Sequence, residues 1–122
     1  MEIQITIGPL TLKGELNDTP TAERVARVLP LRTAFNTWGE EIYFEIPVDA
    51  GLDESAREEV ESGDLGYWPT GKAFCIFFGP TPKSHQGKII PASAVNIIGR
   101  IKGDAARFKE VMDQQEVSLE RL

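Results

Sequence analysis

Short runs in which apolar and polar residues alternate restrict this chain to a fold made mainly of β-strands. Residues 1–7 alternate isoleucines with polar side chains before a Gly-Pro pair, and the apolar, aromatic run 74–78 ends at another such pair. A period of two places successive side chains on opposite faces of a strand. We predict a mainly β fold, a closed antiparallel β-barrel of about eight strands, because closure removes exposed strand edges.

Two helices are expected to close the ends of this barrel. Thr19 and Pro20 supply an N-cap followed by proline at the first helical position, and apolar residues recur at three- and four-residue spacing until Pro30. Near the C-terminus, an aspartate after a glycine caps a second helix over residues 105–112. We also expect a short helix from about residue 53 to residue 60.

Length and composition indicate a single domain over residues 1–122, with no internal repeat or linker. A chain of 122 residues buries roughly two-thirds of the surface that its unfolded form exposes, which is enough for one core. The only cysteine, Cys75, lies in an apolar strand and cannot form an internal disulfide. The sequence shows no signal peptide and no apolar run of about 18 residues, so we expect a cytoplasmic protein without membrane contact.

The charge distribution argues against nucleic-acid partners and metal sites. The net charge is −6, and the many acidic residues between Glu40 and Asp64 are accompanied by Arg57 alone, a field that repels phosphate backbones. A solvated acidic surface is the simplest interpretation, since the spacing of a calcium-binding EF-hand loop is missing. The only histidine, His85, lies in a polar loop, so a site with two histidines cannot form. We expect no metal and no cofactor.

Residues 66–73, GYWPTGKA, match most of a nucleotide-binding phosphate loop but lack its chemistry. Ala73 stands where such a loop needs a hydroxyl for magnesium, and bulky side chains occupy the interior of the motif. The aromatic run that follows predicts a strand, whereas a phosphate loop opens a helix. We therefore predict a hairpin turn between two strands.

Two residue pairs carry groups used in catalysis, but neither has the arrangement that catalysis needs. Glu40 and Glu41 are adjacent on a predicted strand end, so their side chains point to opposite faces, which does not suit shared acid and base work. Cys75 and His85 could form a dyad, but an apolar strand buries the thiol and disfavours the reactive thiolate. An inert buried cysteine is the expected state.

Three segments carry a resemblance to a known family. They are GDLGYWP at 63–69, FFGPTP at 77–82 and PASAVNIIGRI at 91–101, and the helix opening at Thr19 and Pro20 adds to them. Together they resemble the compact cyclophilin-like family of bacteria and archaea, whose biochemical role is not established. The resemblance covers nearly the whole chain and implies a cyclophilin-like barrel.

Cyclophilins are peptidyl-prolyl isomerases, and the resemblance implies that their catalytic arginine is lost here. Its position falls on Glu45, or on Phe44 with a shifted gap, and a carboxylate cannot donate the hydrogen bond that favours the twisted amide. The family's pocket phenylalanine, glutamine and histidine correspond to Cys75, Ala73 and Ile89. We expect a remodelled groove with no catalytic residue, lined by Glu45, Tyr67, Trp68, Ala73, Cys75 and Ile89.

Two functions from different classes remain open. In the first, the groove binds a peptide or small molecule without chemical turnover. Trp68 would then contact the ligand, although the favoured interpretation of that residue is a packed aromatic at a barrel end. In the second, the protein is an isomerase that uses non-standard groups, for which Arg32 and Arg100 are the candidates on predicted strands. A strand edge or the acidic segment could also support a homo-oligomer.

Overall fold

The computed structural model describes residues 1–122 and shows ten strands in one antiparallel sheet. The mainly β, antiparallel prediction is confirmed, with ten strands in place of about eight. The strands are β1 Glu2–Ile7, β2 Leu10–Leu16, β3 Leu31–Ala34, β4 Asn36–Thr37, β5 Glu41–Glu45, β6 Ala56–Arg57, β7 Asp64–Trp68, β8 Ala73–Phe77, β9 Val95–Lys102 and β10 Glu116–Arg121.

Strand pairing does not close the sheet, so the predicted closed barrel is not confirmed. The order is β3-β10-β1-β2-β9-β7-β8-β5-β4, and β6 pairs with β9 beside this path. The two edge strands, β3 and β4, are neighbours in the chain and are separated by Phe35 alone. Between them, Phe35 packs its ring into the core, and its N–H donates to the Gln115 carbonyl oxygen at 3.1 Å. One bent segment therefore supplies both edges of the sheet.

The first helix agrees with its sequence signals. α1 spans Pro20–Arg27, and the Thr19 hydroxyl accepts a hydrogen bond from the Ala22 N–H at 3.2 Å, as an N-cap should. Its apolar face, which includes Val25, is buried against the core. No helix of the protein is both long and apolar enough to span a membrane.

Of the other two helix predictions, the one over residues 53–60 is wrong, and the one near the C-terminus is confirmed as a 3-10 helix. Residues 53–60 are not helical: the Asp53 carboxylate accepts hydrogen bonds from the Ser55 N–H and hydroxyl, which competes with helix formation, and β6 pairs with β9 instead. At the C-terminal end, Ala105–Val111 form a tight 3-10 helix, capped by the Asp104 side chain on the Ala106 N–H at 3.0 Å.

Buried side chains form two clusters, one on each face of the sheet. The main core of 27 residues includes Ile5, Phe74 and Ile76, in agreement with the alternation of the sequence. The opposite face, called here the outer face, carries a smaller cluster formed by Val60, Ala73, Cys75, Phe77 and Val95. The connection 78–94 runs across this face, with Ile89 packed on the small cluster. The candidate site lies here.

Candidate functional site

The segment that resembles a phosphate loop is a β-hairpin, as predicted. β7 and β8 pair antiparallel and are joined by a short 3-10 turn over Pro69–Gly71. Lys72 follows in the left-handed conformation, with φ of 49°, and its ammonium lies 3.7 Å from the Asp49 carboxylate. No helix begins at this turn, so it offers no helix dipole to an anion.

Strand register brings most of the predicted groove residues to the outer face. Ala73 pairs with Trp68 on one side and with Glu45 on the other, and residues directly opposite share a face. Cys75, two positions on, lies on the same face, and Ile89 packs against it. Ala73 and Cys75 are buried in the small cluster, whereas Glu45 is exposed at the end of β5.

Tyr67 lies elsewhere, in the main core. Its side chain has no exposed surface, and its hydroxyl donates a hydrogen bond to the Val48 carbonyl oxygen at 2.5 Å. The reason is the pleat of β7, which points Tyr67 and Trp68 to opposite faces of the sheet. The sequence placed both aromatics in one groove, and the structure separates them.

A cavity of about 210 Å³ opens on the outer face. Three aromatic side chains form much of its wall, and the rings of Tyr43 and Trp68 meet edge to face at 84° with centroids 6.5 Å apart. Of the predicted groove residues only Trp68 lines it, and both tryptophans of the chain take part. The lining residues are Trp38, Glu41, Tyr43, Trp68, Pro91, Ala92 and Val95.

The cavity contains one carboxyl group, that of Glu41, a residue that is 6 % exposed. No cation pairs with it, and its hydrogen-bonding neighbour is the Cys75 thiol. Burial raises the pKa of Glu41 to about 7, and the bond from the thiol opposes that rise only in part. The expectation of a solvated acidic surface therefore does not hold for this residue. Alternation along β5 predicts on which face of the sheet Glu41 lies. The residues that bury that face, however, come from a distant part of the chain.

The Cys75 thiol is 1 % exposed and lies within reach of two acceptors, the Ala73 carbonyl oxygen at 3.8 Å and the Glu41 carboxyl. Burial raises the pKa of this thiol, and the neighbouring Glu41 charge raises it further. His85 is exposed in the loop, with Nδ1 3.5 Å from the Lys83 carbonyl oxygen. The cysteine is thus the inert buried thiol that the sequence indicated.

Side-chain hydrogen bonds fix the loop that roofs the cavity. The Thr81 hydroxyl donates to the Ile90 carbonyl oxygen at 2.5 Å, and the Ser84 hydroxyl accepts from the Thr81 and Ile90 N–H groups at 2.9 and 3.0 Å. At the rim, the Trp68 indole N–H donates to the Ser93 hydroxyl at 2.7 Å. These bonds hold the backbone that carries Pro91 against the sheet.

The two arginines proposed for isomerase chemistry do not line the cavity. Arg32 is exposed on β3 and pairs with Glu116 at 3.0 Å. Arg100, on β9, pairs with the Asp64 carboxylate at 2.5 Å and lies 3.7 Å from Glu61. No group of three or more His, Cys, Asp or Glu side chains is arranged to hold a metal ion.

An antiparallel β-sheet domain with a small aromatic pocket on its outer face is the class of protein that this geometry defines. The cyclophilin-like family matches residues 1–120, and the chain belongs to that family. It is similar to a hypothetical protein from Archaeoglobus fulgidus known from a solution structure, with 40% sequence identity and a TM-score of 0.83 over 100% of this chain and 95% of that one. No curated protein sequence matched the chain.

Proposed function

We propose that the protein is a binding module that holds a small molecule, or one side chain of a peptide, in the aromatic cavity. The observation that carries this proposal is the cavity itself, which three aromatic residues line together with Glu41, a buried residue whose carboxyl has no cationic partner. Binding sites are typically concave and apolar with a few placed polar groups. The volume of about 210 Å³ is below the roughly 300–1,000 Å³ of pockets for drug-sized ligands, so the occupant is small.

The cyclophilin reaction is the second candidate, because an aromatic pocket suits a proline ring. The site lacks a hydrogen-bond donor for the proline amide. By the resemblance, the catalytic arginine of cyclophilins corresponds to Glu45, and the cavity lining contains no arginine. Arg32 and Arg100 are held in ion pairs at other places on the surface. Function resides in the site rather than in the fold, so a cyclophilin-like fold alone does not supply isomerase activity. We therefore place binding first.

The proposal extends to partners and compartment. The net charge of −6 disfavours nucleic acid, and the free, buried Cys75 is compatible with a reducing cytoplasm. A homo-oligomer would use the open edges of β3 or β4, whose backbone groups face no further strand. Analytical ultracentrifugation tests for the homo-oligomer directly. A monomer at all protein concentrations would reject it.

Intrinsic fluorescence tests the binding function, because both tryptophans of the chain line the cavity. A library of small neutral and charged fragments is titrated into the protein, and emission and melting temperature are followed together. We expect a subset to shift both, since a ligand of the folded state stabilises it. Ala92→Phe, which fills the opening, should abolish these shifts, and Ala106→Phe, at an exposed position on the 3-10 helix, should not. Shifts that survive Ala92→Phe, or a library without any active fragment, would contradict the proposal.

A further inference from the structure

We infer that the cavity selects an organic cation, a quaternary ammonium or a protonated amine, with the Glu41 carboxylate as its counter-charge. This inference rests on the proposed binding function and names the ligand class of the same site. It is carried by the placement among aromatic rings of a carboxyl that has no cationic partner, on a residue that is only 6 % exposed.

The carboxyl of Glu41 lacks the partner that buried acids normally have. Glutamate is almost never fully buried unless it is paired, because an uncompensated charge loses its hydration. Here the one contacting donor is a thiol, which is a weak donor. No lysine or arginine lines the cavity, and Lys83, which bonds the lining residue Ala92, donates to its carbonyl oxygen at 3.1 Å and not to Glu41. A cation in the cavity would supply the missing charge.

The aromatic walls favour the same occupant. The faces of tryptophan and tyrosine rings carry negative electrostatic potential and attract ammonium groups, most strongly where water is excluded. Tyr43 and Trp68 stand at 84° to each other and form a corner, and Trp38 lines the same cavity. The Trp68 N–H is already bonded to Ser93. An anionic ligand would find no lysine or arginine in the lining and would meet the Glu41 charge.

Binding of a cation must then be linked to release of a proton. Burial raises the pKa of Glu41 to about 7, so below that pH an empty cavity holds the neutral acid. The other titratable groups that face it are Tyr43 on its own strand and Cys75 on β8, and burial raises the pKa of the thiol, which stays protonated. A cation favours the carboxylate, so its affinity should fall about tenfold per pH unit below the pKa and level off above it.

The experiment compares choline with 3,3-dimethyl-1-butanol, its uncharged carbon isostere, by tryptophan fluorescence at pH 8. We expect choline to bind at least about tenfold more tightly. Glu41→Gln should remove that preference, whereas Glu120→Gln, which neutralises an exposed carboxyl on β10, should keep it. For the wild type, lowering the pH from 8 to 5 should weaken choline binding roughly a hundredfold and leave the alcohol unchanged.

The outcomes separate this inference from the function on which it rests. Equal or tighter binding of the alcohol, or choline affinity that Glu41→Gln does not alter, would overturn the cation assignment and leave a neutral-ligand pocket. No emission change with either probe or with any fragment would reject the binding function as well. The comparison of the two probes and the pH series use the wild-type protein, so they decide the matter even if a variant does not fold.

Discussion

The Tyr67 hydroxyl donates a hydrogen bond to the Val48 carbonyl oxygen at 2.5 Å and accepts one from the Ala50 N–H at 3.3 Å. The two bonds tie the segment that follows β5 to the core side of β7. On the opposite side of the same strand, Trp68 faces the cavity. Adjacent residues thus serve two different parts of the molecule, Tyr67 in the core and Trp68 in the cavity wall.

Tyr67→Phe should destabilise the protein without changing the cavity. Loss of the hydroxyl leaves a buried carbonyl oxygen without this donor, which costs about 1–3 kcal/mol of unfolding free energy, measurable by urea titration. Native tryptophan emission and ligand affinity should stay as in the wild type. Tyr43→Phe is the matched control, because it changes a tyrosine of the cavity wall. A larger effect of Tyr67→Phe than of Tyr43→Phe on ligand affinity would contradict the assignment of Tyr67 to the core.

The buried Glu41 should make folding stability depend on pH. Its pKa rises from 4.5 in the unfolded chain to about 7 in the folded one, so the folded state holds the extra proton between these values. Stability therefore falls as the pH increases from about 4.5 to about 7, by up to roughly 3 kcal/mol, and is not affected by this group below that window.

The measurement is the difference in unfolding free energy between the wild type and Glu41→Gln at several pH values. We expect the unfolding free energy of the variant to increase relative to that of the wild type as the pH rises through this window, because glutamine does not ionise. The unfolding free energy of Glu45→Gln should change with pH in the same way as that of the wild type, since this side chain is exposed. A difference that stays constant with pH would show that Glu41 titrates normally.

Cys75 should resist thiol reagents in the folded protein. The thiol is 1 % exposed, and burial together with the Glu41 charge raises its pKa, so little thiolate forms at neutral pH. Because it is the only cysteine, labelling kinetics followed by mass spectrometry are unambiguous. We expect labelling at a rate limited by opening of the structure and accelerated by denaturant. Fast, stoichiometric labelling of the native protein would refute the buried, inert state.

Thr81→Val should loosen the roof of the cavity. Its hydroxyl donates to the Ile90 carbonyl oxygen and accepts from the Lys83 N–H at 3.2 Å, so the variant leaves both groups without this partner. We expect a loss of about 1–3 kcal/mol in stability and weaker ligand binding. Thr70→Val, at an exposed position in the β7–β8 turn, is the control. Unchanged hydrogen exchange of the Ile90 amide would show that Thr81 does not hold this loop.

Prolyl isomerase activity should be poor. A lost charge-assisted donor costs about 2–4 kcal/mol of transition-state stabilisation, so we expect less than about a hundredth of the rate of an intact cyclophilin in a proline-peptide assay. Glu45→Arg alone should not restore it, because Cys75 stands where the resemblance places the pocket phenylalanine. Activity within about tenfold of a cyclophilin would favour the isomerase function, and Arg32 and Arg100 would be the first residues to substitute.

Local patterns predicted the parts of the fold that depend on neighbours in the chain. The alternation of residues 1–7 and the N-cap at Thr19 are such cases, and both are confirmed. Residues 53–60 failed as a helix because the Asp53 N–H and side chain find partners in Asn96 and Thr21, far away in sequence. For the site, alternation gives the face of Glu41, but its burial requires the roof from the connection 78–94. Sequence periodicity contains no information about such a long-range cover.

The position of β10 in the sheet has a consequence for how the protein is made. β10 is the last strand of the chain, yet it lies between β1 and β3, and it pairs with both. A nascent chain therefore carries two bare strand edges, from its first strand and from β3, until Arg121 has left the ribosome. Unpaired edges of this kind promote association between chains. Emergence of β10, which follows emergence of the pocket residues, is thus the step at which the growing polypeptide covers these two edges.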